Sequence, residues 1–397
     1  MKFRTKNPIC IGGKNEIAVY GLKLLLEKVE KVNLRVVCNQ TDDGFDNWQP
    51  SLLKVAIDND ISVVSIEDCY DLDGLIFLSL EFDKIISPAK FINASLYNIH
   101  FSNLPAYKGM YTSTIPLLKD EKEAGVTLHH IDSGIDTGDI IDQVLFNIDQ
   151  SDTAKNLYEK YLSNSKILLE RNIEMLLDGS IASTPQSAFG SSYFSKQAID
   201  YKNVNLDLNC TANQICNQVR AYTFPEYQVP KVHGYYVNSS KILNVKSLQR
   251  PGALLKVNEE EVHISSVDYD VILNRDLDAE LFEAAASDNE AIALACIASG
   301  ADVNKRNGRG WTPLIVASFN GSISVMKALI KSGADIDKSN YKGTTPLMYA
   351  MTFYEKSKQR LAFDTLIEFG ANKELRDMRH NSIEDYADDR GVLDLFN

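Results

Sequence analysis

Leu75-Ile76-Phe77-Leu78-Ser79-Leu80 (L-I-F-L-S-L) is a six-residue apolar run. A run this short and this apolar suits a strand buried on both faces in the middle of a parallel sheet. Upstream, Ile9–Ile11 reads as a short strand, with Gly12-Gly13 turning it into a helix over Ile17–Val29. Leu34–Asn39 reads as a second strand, Leu52–Asp58 as a helix and Ile61–Ser65 as a third strand. Strand–helix alternation of this kind predicts a doubly wound α/β domain. Such sheets bind ligands outside the carboxyl ends of their strands, which points to the loops after Leu80 and after Tyr97. Gly12-Gly13 lacks the G-x-G-x-x-G spacing of a dinucleotide fingerprint and reads as a plain strand-to-helix turn. Asn156–Leu177 is an amphipathic helix ended by Asp178-Gly179.

From about Tyr193 to Asp270 the pattern changes. One helix, Thr211–Tyr222, precedes short alternating segments at Tyr235–Leu243, Ala253–Val257 and Val262–Ser266, which predict a small β-rich subdomain. The remaining residues repeat. Thr312-Pro313-Leu314 recurs as Thr345-Pro346-Leu347, and Gly300-Ala301-Asp302 as Gly333-Ala334-Asp335, both 33 residues on. Gly370-Ala371-Asn372 follows at 37, which predicts a four-residue insertion within Thr352–Arg360. This period, with T-P-L opening one helix and G-A-D closing the next, resembles the ankyrin repeat. The expected organisation is a Rossmann-like catalytic domain over residues 1–185, a β-rich subdomain over 186–272, and α-helical ankyrin repeats over 273–397.

The formal net charge is -13, with 44% hydrophobic and 24% charged residues, and the pI is about 5.0. No run of five or more Lys or Arg occurs, so nucleic acid is not an expected partner. No window approaches 18 consecutive apolar residues, and the N-terminal stretch M-K-F-R-T-K-N-P-I-C-I-G-G-K lacks the apolar core of a secretory signal. A cytoplasmic protein with no membrane span is expected. The six cysteines form no C-x-x-C pair and read as free thiols in a reducing compartment. Nor is there an H-E-x-x-H or a cysteine/histidine ladder, so no metal site is expected.

The chemistry is concentrated in N-I-H-F-S-N-L-P-A-Y-K-G (Asn98–Gly109) and G-V-T-L-H-H-I-D-S-G-I-D-T-G-D-I-I (Gly125–Ile141). Asn98 and His100 alternate on a strand, so their side chains share one face. Ser133-Gly134 and Thr137-Gly138 make a tight loop that presents Asp136. An amide donor, an imidazole and a carboxylate suit acyl transfer to an amine: the oxyanion wants a donor, and the amine must lose a proton. On spacing alone these residues serve equally well as polar strand-end and loop residues. His129 reads as a packed strand histidine.

Together the two segments resemble the signature of the 10-formyltetrahydrofolate-dependent formyltransferases: Asn-x-His, then L-P-x-Y-x-G, then a D-x-G-x-D-x-G-x-I-I loop. The likeness covers residues 1–240 and is strongest over 74–141. It implies 10-formyltetrahydrofolate as formyl donor and Asn98, His100 and Asp136 as catalytic residues. It also implies a folate slot marked by Phe82, Asp83, Ile86, Asp132 and Asp136.

Three acceptors compete within that group: a purine precursor, methionyl-tRNA and an amino sugar nucleotide. The short second subdomain and acidic charge disfavour tRNA. R-A-Y-T-F-P-E-Y (Arg220–Tyr227) resembles a segment of the sugar N-formyltransferases. The resemblance implies a dTDP- or UDP-linked amino-deoxysugar as substrate, amine at carbon 3 or 4, for surface polysaccharide such as O-antigen. Tyr222 and Phe224 are candidates to stack on the base, Lys84 or Arg220 to meet the pyrophosphate, and Tyr107 and Tyr111 to line the sugar pocket. A homodimer is implied by the same resemblance. Trp311, expected to be exposed at a repeat turn, and Arg309 are candidates for a second site for a partner or small ligand. The rival reading is a non-catalytic ankyrin adaptor on a decayed formyltransferase fold, in which one of the three polar residues should be lost.

Overall fold

The computed structural model describes residues 7–396; residues 1–6 of the N-terminal stretch discussed above lie outside them. The chain forms two compact units, Met1–Val204 and Asn205–Asn397.

The first unit runs β1 (Ile9–Gly13), α1 (Asn15–Lys28), β2 (Leu34–Cys38), α2 (Leu52–Asp58), β3 (Ser62–Val63) and β4 (Leu75–Leu80). It continues through β5 (Ala94–His100), β6 (Lys108–Gly109), α3 (Ile115–Leu118), β7 (Glu123–His130), β8 (Ile140–Asn147), α4 (Ala154–Asp178) and β9 (Tyr193–Phe194). The seven-stranded sheet has the order β3-β2-β1-β4-β5-β7-β8, which puts β4 at its centre. All six β4 residues are buried, as its unbroken apolar run requires. Strands β1 to β5 pair in parallel, whereas β5–β7 and β7–β8 pair antiparallel. The sheet is therefore mixed, because the chain returns after β5 through a loop and the short α3 rather than a full crossover helix.

Two expectations are corrected here. Gly12-Gly13 is the end of β1 rather than a turn outside it. A Cβ on Gly12 would lie 2.4 Å from the Phe77 ring, and one on Gly13 would lie 2.0 Å from the Leu80 carbonyl oxygen. Glycine is needed for close strand packing, not for a turn conformation. The third strand shrinks to two exposed residues at the sheet edge, Ser62-Val63. The helix expected over Asn156–Leu177 spans α4. Thr153 caps it, accepting from the Asn156 amide while Asn156 bonds back, and left-handed Gly179 ends it at φ 73°.

The second unit starts with α5 (Ala212–Tyr222), then β10 (Lys231–Val232), β11 (Tyr235–Lys246), β12 (Leu254–Val257), β13 (Glu261–Ile264) and β14 (Tyr269–Arg275). The five strands form an antiparallel sheet in the order β10-β11-β14-β13-β12. Ile215 and Val219 of α5, four apart, share a core with Val237, Val262, Ile264, Val271 and Leu273.

The helices α6 (Leu277–Ser287), α7 (Glu290–Ala298), α8 (Pro313–Asn320), α9 (Ile323–Lys331), α10 (Pro346–Ser357), α11 (Leu361–Glu368) and α12 (Ile383–Asp389) follow. Thr312, Thr345 and Ser382 each cap a helix by accepting an amide three residues on, which is what the threonine of T-P-L supplies. Helix α8 has 8 residues and α10 has 12, so the four inserted residues are absorbed as about one extra helical turn. Among the described residues no helix is long and apolar enough to cross a membrane.

Candidate active site

The site is built at the carboxyl ends of β4 and β5. Alternation on β5 puts Asn98 and His100 on one face, and antiparallel pairing sets Asn98 opposite His129 of β7. The chain then loops back so that the Tyr107 carbonyl accepts a 2.8 Å hydrogen bond from His100 Nε2. Gly109 donates its backbone amide to Asp136 Oδ2 at 2.9 Å. At φ 85°, a Cβ on Gly109 would meet the Phe194 carbonyl oxygen at 2.3 Å, so the glycine of L-P-x-Y-x-G is required sterically.

Asp136 arrives on the loop between β7 and β8. Asp132 shapes that loop from within: its Oδ1 accepts from the Gly134 amide at 2.9 Å and the Thr137 hydroxyl at 2.6 Å. A Cβ on Gly138 would lie 1.9 Å from the His130 carbonyl oxygen. Asp136 itself is left-handed, at φ 54°. The Gln186 side-chain amide clamps this turn, donating to the carbonyl oxygens of Asp136 at 2.9 Å and Gly138 at 2.7 Å.

These constraints bring four side chains together. Asp136 Oδ2 is 3.5 Å from His100 Nδ1, and Oδ1 is 3.6 Å from His129 Nε2. The Asn98 amide nitrogen is 3.1 Å from His129 Nε2 and 3.4 Å from Asp136 Oδ1. The tautomers follow from the outer partners. His129 Nδ1–H donates to the His130 carbonyl at 2.7 Å, leaving Nε2 to accept from Asn98. His100 Nε2–H donates to Tyr107, so the neutral ring presents a lone pair on Nδ1 toward Asp136. That atom can take a proton, and the carboxylate beside it stabilises the resulting cation. Burial lowers the His100 pKa, against the opposing pull of Asp136 and the Tyr107 carbonyl, so the ring is neutral at pH 7. Burial alone would raise the Asp136 pKa; His100, His129 and the Gly109 amide instead hold it at about 2.

The other anticipated residues are placed as follows. Phe82 packs edge-on to Phe77, ring centroids 6.0 Å apart, and Ile86 is buried in the same cluster. Asp83 and Lys84 are exposed in the loop after β4. The Tyr107 hydroxyl is bound to Glu121 and its ring stacks on Phe194. The Tyr111 hydroxyl donates to the Lys196 carbonyl at 2.7 Å. Both hydroxyls are thus engaged within the fold, leaving these tyrosines ring surface to offer a ligand.

Arg220, Tyr222 and Phe224 belong to the second unit. Arg220 is buried and donates to Asn217, and buried Phe224 packs on Tyr227 at 4.8 Å. Trp311 corrects an expectation: it is half-buried, against Phe319 at 5.2 Å and Tyr349 at 4.7 Å, because the repeat stack closes over it. Arg309 is exposed, its guanidinium 5.8 Å from the indole. His129 and Gln186 escaped the sequence reading as functional residues. The pairing of Asn98 with His129 was the only available signal for the first, and nothing local signals the second. Among the described residues no group of three or more His, Cys, Asp or Glu could hold a metal ion.

A model of the formyl transferase family matches residues 75–173, and a model of three ankyrin repeats matches residues 281–377. The chain is similar to the solved structure of WlaRD, a sugar 3N-formyl transferase, determined in the presence of dTDP and 5-N-formyl-THF. Identity is 40%, coverage is 68% of this chain and 98% of that one, and the TM-score is 0.64. It is equally similar to the N-formyltransferase from Helicobacter canadensis solved with folinic acid and dTDP-3-aminofucose. Identity is again 40%, with 68% and 100% coverage and a TM-score of 0.64. The bifunctional polymyxin resistance protein ArnA of Wigglesworthia glossinidia brevipalpis is 30% identical over 261 residues, which is 62% of this chain but only 39% of that protein. Two solved relatives at 40% identity, matched over 98% and 100% of their length, join the cluster of Asn98, His100 and Asp136 to one conclusion: the chain belongs to the sugar N-formyltransferases, here carrying C-terminal ankyrin repeats.

Proposed function

We propose that this protein transfers the formyl group of 10-formyltetrahydrofolate to the amine of a dTDP-linked amino-deoxyhexose. The observation that carries the reading is the convergence of Asn98, His100 and Asp136 on one point at the carboxyl end of β5. The two 40%-identical relatives support the choice of acceptor, since one is described as a sugar 3N-formyl transferase and the other holds dTDP-3-aminofucose. They favour carbon 3 over carbon 4 for the amine, and dTDP over UDP. Supply of a formylated sugar for surface polysaccharide such as O-antigen, in the cytoplasm, is the corresponding biological role.

In this mechanism the neutral amine attacks the formyl carbon and a C–N bond forms. The carbonyl oxygen becomes an oxyanion. Asn98 donates to it, releasing its long 3.4 Å contact with Asp136 while its bond to His129 holds the amide in place. His100 Nδ1 takes the proton from the new nitrogen, and Asp136 stabilises the imidazolium. The bond from the formyl carbon to the folate nitrogen then breaks, and that nitrogen leaves with the proton. Phe82, Asp83, Ile86 and Asp132 mark the walls of the folate slot.

Dimerisation through the β-rich part of the second unit fits its exposed apolar residues, Ile242, Val245, Leu248, Leu254, Leu255 and Tyr269. Trp311 and Arg309 remain candidates for a second ligand or partner site.

The test is release of tetrahydrofolate when 10-formyltetrahydrofolate is mixed with a panel of dTDP- and UDP-amino sugars. A formylated 3-amino product is expected. No product from any of them at high enzyme concentration contradicts the reading and favours a non-catalytic adaptor.

A further inference from the structure

The mechanism above makes no use of Glu81, the residue after β4. In the parallel register Leu80 faces Ile99, so Glu81 follows into the position beside His100. Its backbone is left-handed, at φ 56°. Such a conformation is costly for a residue with a Cβ and accumulates at functional sites. Among the described residues, other non-glycine left-handed positions at this end of the sheet are Asn15, Tyr107, Tyr111 and Asp136. The backbone is held from both sides: Asn39 Nδ2 donates to the Glu81 carbonyl at 2.9 Å, and the Lys14 amide donates to the Leu80 carbonyl at 3.3 Å.

The carboxyl group is tucked under α4. The Tyr158 hydroxyl lies 3.0 Å from both of its oxygens. Burial pushes its pKa up to about 7, even though Tyr158, Lys14 and Asn15 favour the ionised form. Two oxygens offer about four acceptor positions. The Tyr158 hydroxyl and the Asn15 side chain occupy part of that capacity. A buried carboxyl at a left-handed position, one step past β4 and beside the end of β5, marks a functional candidate. Aromatic surface stands alongside. Trp48 meets Tyr158 edge-on at 6.0 Å with the Lys155 ammonium 4.1 Å over its ring, and Phe101, next to His100, packs on Tyr158 at 5.9 Å. A carboxyl group beside aromatic rings, at the strand end that neighbours His100 in the register, suits a hydroxyl-bearing sugar ring.

We infer that Glu81, oriented by Tyr158, accepts a hydrogen bond from a ring hydroxyl of the acceptor hexose and so determines which sugar is formylated. This rests on the amino sugar being the acceptor. It assigns Glu81 to the hexose rather than to the nucleotide or the folate.

Steady-state formylation of dTDP-3-aminofucose tests it in the full-length chain, with dTDP alone as a competitive inhibitor. Glu81→Gln should raise KM for the sugar nucleotide about ten- to a hundredfold, the worth of a hydrogen bond to a charged group. KM for 10-formyltetrahydrofolate and the inhibition constant of dTDP, which lacks the hexose, should stay within about twofold of wild type. Tyr158→Phe, which keeps the ring, should shift the same KM in the same direction by less. An unchanged KM for the sugar nucleotide in Glu81→Gln overturns the inference, as does an equal weakening of dTDP or folate. A wild-type enzyme that formylates no amino sugar overturns the function itself, and the inference with it.

Discussion

Asn98 and His129 face each other across the β5–β7 pairing, with the Asn98 amide nitrogen 3.1 Å from His129 Nε2. The buried histidine therefore holds the amide that is proposed as the oxyanion donor. Its orientation is fixed in turn by the bond from Nδ1–H to its neighbour's carbonyl.

His129→Ala should release Asn98 and lower kcat about tenfold or more, the worth of one positioning hydrogen bond. KM for both substrates should change little. His129→Gln, which keeps an acceptor within reach, should recover part of the loss. Steady-state kinetics of the two variants checks this, and equal losses in both would mean that the ring itself, not its acceptor atom, matters.

The charge of Asp136 raises the His100 pKa, which burial otherwise lowers. His100 accepts a proton only when neutral, so activity should fall as pH drops through its pKa. Asp136→Asn removes the charge and lowers that pKa further. The acid limb of the kcat/KM profile should move to lower pH, while kcat falls about a hundredfold or more. A limb that moves to higher pH contradicts the pairing of Asp136 with His100.

Gln186 holds the left-handed turn that presents Asp136 by donating to two backbone carbonyls. Gln186→Ala should lower kcat about tenfold, with KM for the sugar nucleotide within about twofold of wild type. Gln186→Glu, whose carboxylate would face those carbonyls, should be worse than alanine. Equal kinetics for wild type and both variants removes Gln186 as a positioning residue.

The parts of this site legible from sequence are those that depend on local pattern. Leu75–Leu80 announced a central strand through its unbroken apolar run, and the 33-residue recurrence of Thr-Pro-Leu announced the repeats. Asn98 and His100 share a face because strands alternate. What escaped is long-range. His129 acquires its role from an antiparallel register, Gln186 lies 50 residues from the carbonyl it holds, and Glu81 meets Tyr158 across 77 residues. The exposure of Trp311 was misjudged for a related reason. Phe319 covers it from the helix of its own repeat, and Tyr349 only once the next repeat stacks.

Glu81 carries a consequence for stability. Its folded pKa of about 7 stands above the ordinary 4.5, raised by burial and by nearby Glu16, against Tyr158, Asn15 and Lys14. The folded state therefore holds this proton more tightly, and stability is lost as pH rises from about 4.5 to 7. The difference corresponds to about 3 kcal/mol above pH 7. Glu81→Gln should raise the unfolding temperature at pH 8 and have little effect near pH 4.5. Thermal melts at the two pH values decide it, and destabilisation at pH 8 would contradict the assignment of a costly buried charge.

The most direct test of formyl transfer at this cluster is a single-turnover comparison of wild type with Asn98→Ala. Excess enzyme is mixed with 10-formyltetrahydrofolate and dTDP-3-aminofucose. The formylated sugar should appear about a hundred to a thousand times more slowly in the variant, the cost of losing an oxyanion donor, with dTDP affinity intact. A variant that forms product at the wild-type rate would contradict the proposed chemistry at its centre.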